Sequence, residues 1–237
     1  MSNKKKKKNS NYQSANNIAK AMTIKETQAR EKRKNTIIAV VCAAIILVAT
    51  ILSITFCALN KTPDTRYVKM TVKDHGEIIL KLDGKTAPIT VENFMNLVND
   101  GFYNGLTFHR IMEDFMIQGG DPEGTGGGGS KKTIKGEFSE NGVKNDISHE
   151  RGVISMARSD APNSASSQFF ICNADSPHLN GKYAAFGWVL SGMDVVDSIT
   201  EEGVKHTYNG VIYDKTKQPV ITSIVEITEK EAKSYIK

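Results

Sequence analysis

Cysteine is scarce in this chain: three residues in 237, two of which, Cys42 and Cys57, fall in one hydrophobic stretch. Cys172 stands alone in the remainder, so no disulfide can form there and the fold does not depend on an oxidising compartment. Zinc-type Cys/His spacing is missing, and the five histidines are scattered without an i, i+4 pair. No metal ligand set and no cofactor is expected. Internal repeats are missing as well. Positive charge is absent where nucleic acid would need it. Residues 1–35 carry eleven Lys/Arg against two Glu, a net +9, whereas the rest carries 20 basic and 24 acidic residues, a net −4. The basic balance belongs to a tail, which excludes a nucleic-acid-binding surface on the folded part.

What is present begins with an uncharged run, Thr36 to Leu59. As a helix rising ~1.5 Å per residue it would measure ~36 Å, enough to cross a ~30 Å hydrocarbon core with some tilt. A cleaved signal peptide would want a shorter apolar region and a small-x-small exit. Phe56-Cys57-Ala58-Leu59 is a poor one. The run reads as an uncleaved anchor. Arg30, Lys32, Arg33 and Lys34 abut its N-terminal side, while only Lys61 and Arg66 follow closely. The positive-inside rule then predicts a single pass through the cell membrane, the N-terminus cytoplasmic and the C-terminal part extracytoplasmic. The expected organisation is a basic, mostly disordered leader over 1–35, a transmembrane helix over 36–59, and a linker over 60–66. A folded domain over 67–230 and a tail over 231–237 complete it.

The folded part is punctuated by turn signals. Tyr67–Lys73 and Glu77–Leu82 alternate apolar and polar residues around Asp74-His75-Gly76, which predicts a hairpin. After Ala87-Pro88, Val91, Phe94, Met95 and Val98 fall at i, i+3, i+4 and i+7, one helical face, with Gly101 as a stop. Strand-like runs follow at 106–111, 115–118, 152–157, 168–173 and 184–190. A short helix is predicted over Met193–Ile199 and a closing strand over Pro219–Thr228. Many short strands with two helices predict a mainly β fold, a closed antiparallel barrel capped at its ends. The glycine-rich patch Gly124–Ser130 (GTGGGGS) is no phosphate loop, because Ser130 follows Gly129 where a lysine is needed. It reads as a surface loop that lets a peptide backbone approach closely. Ser166 and Ser167 lack a nucleophile-elbow context, which excludes a serine hydrolase.

Two short apolar runs carry polar side chains: FHRIMEDFMIQGGD (108–121), with Arg110 and Gln118, and SQFFI (167–171), with Gln168. A buried charge is costly unless it has a partner or a task. Read alone, Arg110 would pair with Glu113 or Asp114, the amides would be satisfied at strand edges, and the apolar residues would be core. His109 is expected to pack. Yet two such runs also suit an apolar pocket with a few convergent polar groups.

Together with GVISMARS…PNSASSQFFIC (152–172) and LNGKYAAFGWVLSGMDVVD (179–197), these runs resemble the cyclophilins, a family of peptidyl-prolyl cis/trans isomerases, in their bacterial spelling. The resemblance covers about Tyr67 to Thr228. It implies an eight-stranded antiparallel barrel with a helix at each end. By motif position it implies catalytic roles for Arg110, Gln118 and Gln168, and a proline slot made of Phe115, Met116, Phe170 and Leu179. It places His178, Tyr183, Ala157 and Gly124 along the substrate groove. Many eukaryotic members carry tryptophan where this chain has His178 and histidine where it has Tyr183. The tryptophan position contributes to cyclosporin binding, so weak binding of that inhibitor is implied. Arg158 replaces an asparagine common elsewhere. The implied activity is a foldase acting on Xaa-Pro bonds of exported, unfolded or proline-containing chains without covalent chemistry. The alternative is a Pro-peptide binding module or chaperone scaffold with little turnover.

Overall fold

A computed structural model of the chain describes residues 22, 25–26, 30–51 and 65–236. The chain divides into two compact units, 1–62 and 63–237. In the first, helix α1 runs Arg30–Ile51, 22 residues whose most apolar window has a mean hydropathy of 2.2. It is long and apolar enough to cross a membrane. It begins earlier than the uncharged run, inside the basic flank. Met22, Lys25 and Glu26 of the leader are also helical. The last part of the expected span, 52–59, and the linker up to residue 64 lie outside the described residues. The hydroxyls of Thr36 and Thr50 donate back to the carbonyls of Lys32 and Leu47, at 2.8 Å each, so neither polar group needs an outside partner.

The second unit is mainly β. Its strands are β1 (Thr65–Val72), β2 (Gly76–Asp83), β3 (Thr107–Met112), β4 (Met116–Asp121), β5 (Val153–Met156), β6 (Phe169–Cys172), β7 (Ala185–Ser191) and β8 (Ile221–Ile227). The helices are α2 (Pro88–Asn99), α3 (Met193–Gly203) and α4 (Glu229–Ser234). All eight strands form one antiparallel sheet in the order β3-β4-β6-β5-β7-β2-β1-β8. Its outer strands meet at one isolated bridge, Thr107 to Val220. Around it Gly105 N–H donates to Ile221 O, Ile221 N–H to Leu106 O and Phe108 N–H to Pro219 O, at 2.8, 2.8 and 2.9 Å. The sheet thus curls until its edges touch there. Beyond these contacts no continuous ladder pairs β3 with β8, so the eight strands form one curled sheet.

Local chemistry accounts for the elements. The β1–β2 turn places Asp74 at φ 64° and Gly76 at φ 131°, conformations that Asp tolerates and glycine allows without strain. Helix α2 opens with proline in its first turn, where the missing N–H costs nothing. Ala87 supplies no side-chain cap. The buried Glu137 does so from a distance, its carboxylate accepting from Ile89 N–H (3.1 Å), Thr90 N–H (2.7 Å) and the Thr90 hydroxyl (2.7 Å). A negative group at that position also complements the helix dipole. The expected face of α2, Val91, Phe94, Met95 and Val98, is buried. Phe94 packs on Tyr103, Phe169 and Phe186 with ring centroids 5.1, 5.7 and 5.3 Å apart, the centre of the main core.

Two elements depart from the sequence expectation. Helix α3 continues past Ile199 to Gly203, because Thr200 and Gly203 are buried too. The segment after Thr228 includes a further helix, α4. The Thr228 hydroxyl caps it by accepting from Glu231 N–H at 3.2 Å, and Ala232 packs in a small cluster with Ile79 and Ile227.

Candidate active site

Side chains alternate across a strand, so β3, β4 and β6 present two different surfaces. Register places Arg110 opposite Gln118, Gln118 opposite Phe170, and Phe170 opposite Ser155 of β5. One position along, Ile111, Ile117, Ile171 and Ile154 form the matching row and belong to the main core. Two positions from the first row, Met112, Met116 and Cys172 return to the same side as Arg110. That side carries a second apolar cluster, separate from the core. Met116, Phe170, Cys172 and Leu179 form it, with Met112, Phe115, Ala157 and Tyr183 packed against it. The structure therefore gathers the expected slot residues and adds Met112 and Cys172.

Arg110 is half-buried at the edge of this cluster. Among the described residues no carboxylate lies within ion-pair distance of its guanidinium, so the pairing with Glu113 or Asp114 is not formed. Its Nη1 donates to Gln118 Oε1 at 3.1 Å, and its Nη2 lies 3.0 Å from Met112 Sδ. The guanidinium carbon stands 5.9 Å from the Phe115 ring centre. Burial lowers its pKa from the usual guanidinium value, an effect the nearby Tyr183 opposes. Guanidinium pKa values start so high that the group stays charged at neutral pH.

A chain of amides holds this cation. Gln118 Nε2 donates to Gln168 Oε1 at 2.8 Å, and Gln168 Nε2 donates to the carbonyls of Gly126 and Gly128 at 3.0 and 2.7 Å. Each glutamine uses its oxygen toward Arg110 and its nitrogen toward the glycine loop, which fixes both orientations. The loop is itself pinned by the buried Asp121, whose carboxylate accepts from Glu123, Thr125 and Gly126 N–H at 2.8, 2.9 and 2.6 Å. Burial pushes that carboxyl up, but the backbone donors outweigh it and hold it below the usual carboxylate range. A side chain at Gly128 would collide with Asp121, and one at Gly129 with Ser166. The glycines thus serve close packing of the loop. Gly124 is not brought to the cluster: its carbonyl accepts from Gln218 Nε2 at 2.8 Å. The loop and Ala157 instead border a cleft of about 370 Å³ with Gln118, Gln168, Arg158 and Ser159.

The remaining expected residues form the rim and floor. His178 lies beside Phe115, ring centres 5.3 Å apart, and Tyr183 meets Phe170 edge-on at 5.9 Å. Arg158 lies over the rings of Tyr183 and Phe138, at 4.7 and 5.0 Å, and donates to the carbonyls of Lys182, Ser159 and Asp160. Sequence reasoning missed His149, which stacks on Phe170 at 6.0 Å and contacts Asn180 Oδ1 and Ser155 Oγ at 3.1 and 3.0 Å. Burial lowers its imidazole pKa, partly offset by Asn180. Met112 and Cys172 were legible in principle from strand parity. Burial pushes the Cys172 thiol up to about 12, which leaves it an inert packing group. His109 is buried as expected, and among the described residues neither ring nitrogen has a hydrogen-bond partner. Among the described residues no cluster of three or more His, Cys, Asp or Glu could hold a metal ion.

Residues 67–228 match the family model described as cyclophilin type peptidyl-prolyl cis-trans isomerase/CLD. The chain is 41% identical over 165 residues to peptidyl-prolyl cis-trans isomerase B of Escherichia coli K12, covering 66% of this chain and 96% of that protein. It is 43% identical over 133 residues to peptidyl-prolyl cis-trans isomerase B of Bacillus subtilis 168, covering 56% and 90%. The crystal structure of a cyclophilin type peptidyl-prolyl cis-trans isomerase from Cryptosporidium parvum superposes with a TM-score of 0.62 at 28% identity, over 70% of this chain and 99% of that one. A second crystal structure of that protein, in the presence of the dipeptide Ala-Pro, gives 0.61.

Proposed function

The chain belongs to the cyclophilin-type peptidyl-prolyl cis-trans isomerases and has their activity, and from that premise we propose how this site performs it. Resonance sets a barrier of ~18–20 kcal/mol to rotation about a peptide bond. Uncatalysed prolyl bonds relax in ~10–100 s. A rate on the order of a thousand per second requires the barrier to fall by ~7 kcal/mol, at ~1.4 kcal/mol per decade. No bond needs to be made or broken. The site has to favour the twisted imide over both planar forms.

As the imide twists, its nitrogen becomes pyramidal and gains a lone pair. The Arg110 guanidinium donates to that nitrogen or to the adjacent carbonyl oxygen. A charged hydrogen bond yields ~1.5–3 kcal/mol net, so gripping the ring and flanking backbone supplies the rest. Phe115, Met116, Phe170 and Leu179 hold the proline ring. Gln118 and Gln168 orient the guanidinium and the moving carbonyl, and Ala157, His178 and Tyr183 border the substrate. The observation that supports this reading most is a cation with no carboxylate partner, held by a chain of amides beside an apolar cluster. Arg110→Ala should lower kcat/KM for an Ala-Pro peptide about 10- to 100-fold in an NMR exchange assay. An unchanged rate would remove Arg110 from the mechanism.

We further infer the cellular setting. The apolar helix from the basic flank supports a single-pass anchor over 36–59, with leader 1–35 in the cytoplasm. A linker over 60–66 then carries an extracytoplasmic isomerase domain over 67–230, with 231–237 as its tail. Its clients are exported polypeptides, unfolded or rich in exposed proline. Replacement of the cyclosporin-contacting tryptophan by His178 implies weak binding of that inhibitor. The backbone bonds between residues 105–108 and 219–221 support barrel closure as the architecture behind this site.

A further inference from the structure

A groove of about 440 Å³ lies along the outer side of α2. Leu97, Phe102 and Ile134 line it, with Ile89, 41% exposed, at its lip. Asn93 and Asn96, one helical turn apart, border it, and Lys131 and Lys132 stand among its walls. Neither lysine has a carboxylate partner in an ion pair among the described residues. An apolar depression with a few amides and charges is the build of a peptide-side-chain site.

The groove is continuous with the cleft beside the amide chain. Ser130 borders both. Asn93 Nδ2 donates to Ser166 O at 2.6 Å, fastening α2 to the segment that carries Gln168. Beyond Ser130, Lys131, Lys132 and Ile134 continue along the groove, held by Ile134 N–H on Ala165 O at 2.8 Å. An extended chain advances roughly 3.3 Å per residue, so a client lying in the cleft beside Gln168 can extend over Ser130 into this groove.

We propose that this groove is a second client-binding site, taking an apolar side chain of the same polypeptide a few residues from the proline. The proposal rests on the proline slot described above. The contact is the same in the planar and twisted states. It therefore lowers KM and leaves kcat where it was.

The test uses the full chain in mild detergent. A short Ala-Pro peptide is lengthened two residues at a time, on one flank or the other, with Leu or Gln at each added position. On one flank and at one length, Leu should lower KM about fivefold relative to Gln, as expected when a half-covered leucine leaves water. The value of kcat should stay the same. Ile89→Glu, which removes the lip, and Asn96→Phe, which obstructs the channel, should both bring the Leu-to-Gln ratio to one. That ratio does not depend on the fraction of active protein in each variant. Equal KM values for Leu and Gln at every length on both flanks would overturn the proposal, as would a Leu advantage that survives both substitutions. Failure to process even the short peptide would count against the slot reading. Fluorescence anisotropy of labelled long peptides would then decide the groove, by whether Leu binds more tightly than Gln.

Discussion

The two faces of β3, β4 and β6 are made from the same strands and differ in every respect that matters to the protein. On one, Ile111, Ile117, Ile171 and Ile154 pack among the aromatic rings around Phe94. On the other, Arg110, Gln118 and Phe170 stand in a row with Met112, Met116 and Cys172 beside them. The first surface is uniformly apolar and its value lies in burial. The second mixes a cation and amides with apolar groups, and its polar members are oriented by one another. Stability and reactivity are thereby assigned to alternate residues of one chain segment.

The largest test of that division is on the core side. Ile171→Ala should cost about 2–5 kcal/mol of stability, read from urea denaturation, through lost burial and a cavity. The folded fraction should keep its turnover. A comparable loss of kcat with little destabilisation would mean that the two faces are not separable. Next comes Arg110→Lys on the site side. It keeps the charge but loses the planar fork that meets Gln118 Oε1, so kcat/KM should fall by about 1.5 kcal/mol of barrier, at the low end of the Arg110→Ala loss, while the urea midpoint barely moves. Gln118→Ala should be milder, about 1 kcal/mol in barrier, because it frees the guanidinium without removing it.

At neutral pH the smallest effect, growing only as pH falls, is a pH dependence that both sides share. His109, beside the core row, and His149, beneath Phe170, are held below the ordinary imidazole range chiefly by burial. Folded, they resist the proton that the unfolded chain accepts below about pH 6.5. Their contribution to stability is therefore present above that pH and lost as pH falls. The slope should be at most about 1.4 kcal/mol per pH unit for each histidine. Urea midpoints between pH 7.5 and 5.5 would read it, and His109→Gln and His149→Gln should each flatten it. The buried carboxylate of Asp121, shifted down, adds acid sensitivity only at lower pH, near and below its ordinary value of 3.8.

Much of this was legible before the structure. Strand parity in FMIQ and QFFI already separates Gln118 and Phe170 from Ile117 and Ile171, and the helical face of α2 follows from spacing. What stayed hidden depends on contacts between distant segments. No local pattern announces that Glu137 caps α2, that Asp121 pins the glycine loop, or that His149 supports Phe170. The loop's glycines suggested freedom, whereas a side chain at Gly128 would meet the Asp121 carboxylate that backbone donors hold in place. Helix α4 was missed because its six residues carry one buried side chain, too few for a periodic signal.

Glu137, three residues beyond Ile134 of one wall of the α2 groove, is bonded to the first turn of the helix that forms the other. The two banks are consequently riveted together at one end, so a polypeptide wedged between them meets a vice with a fixed hinge.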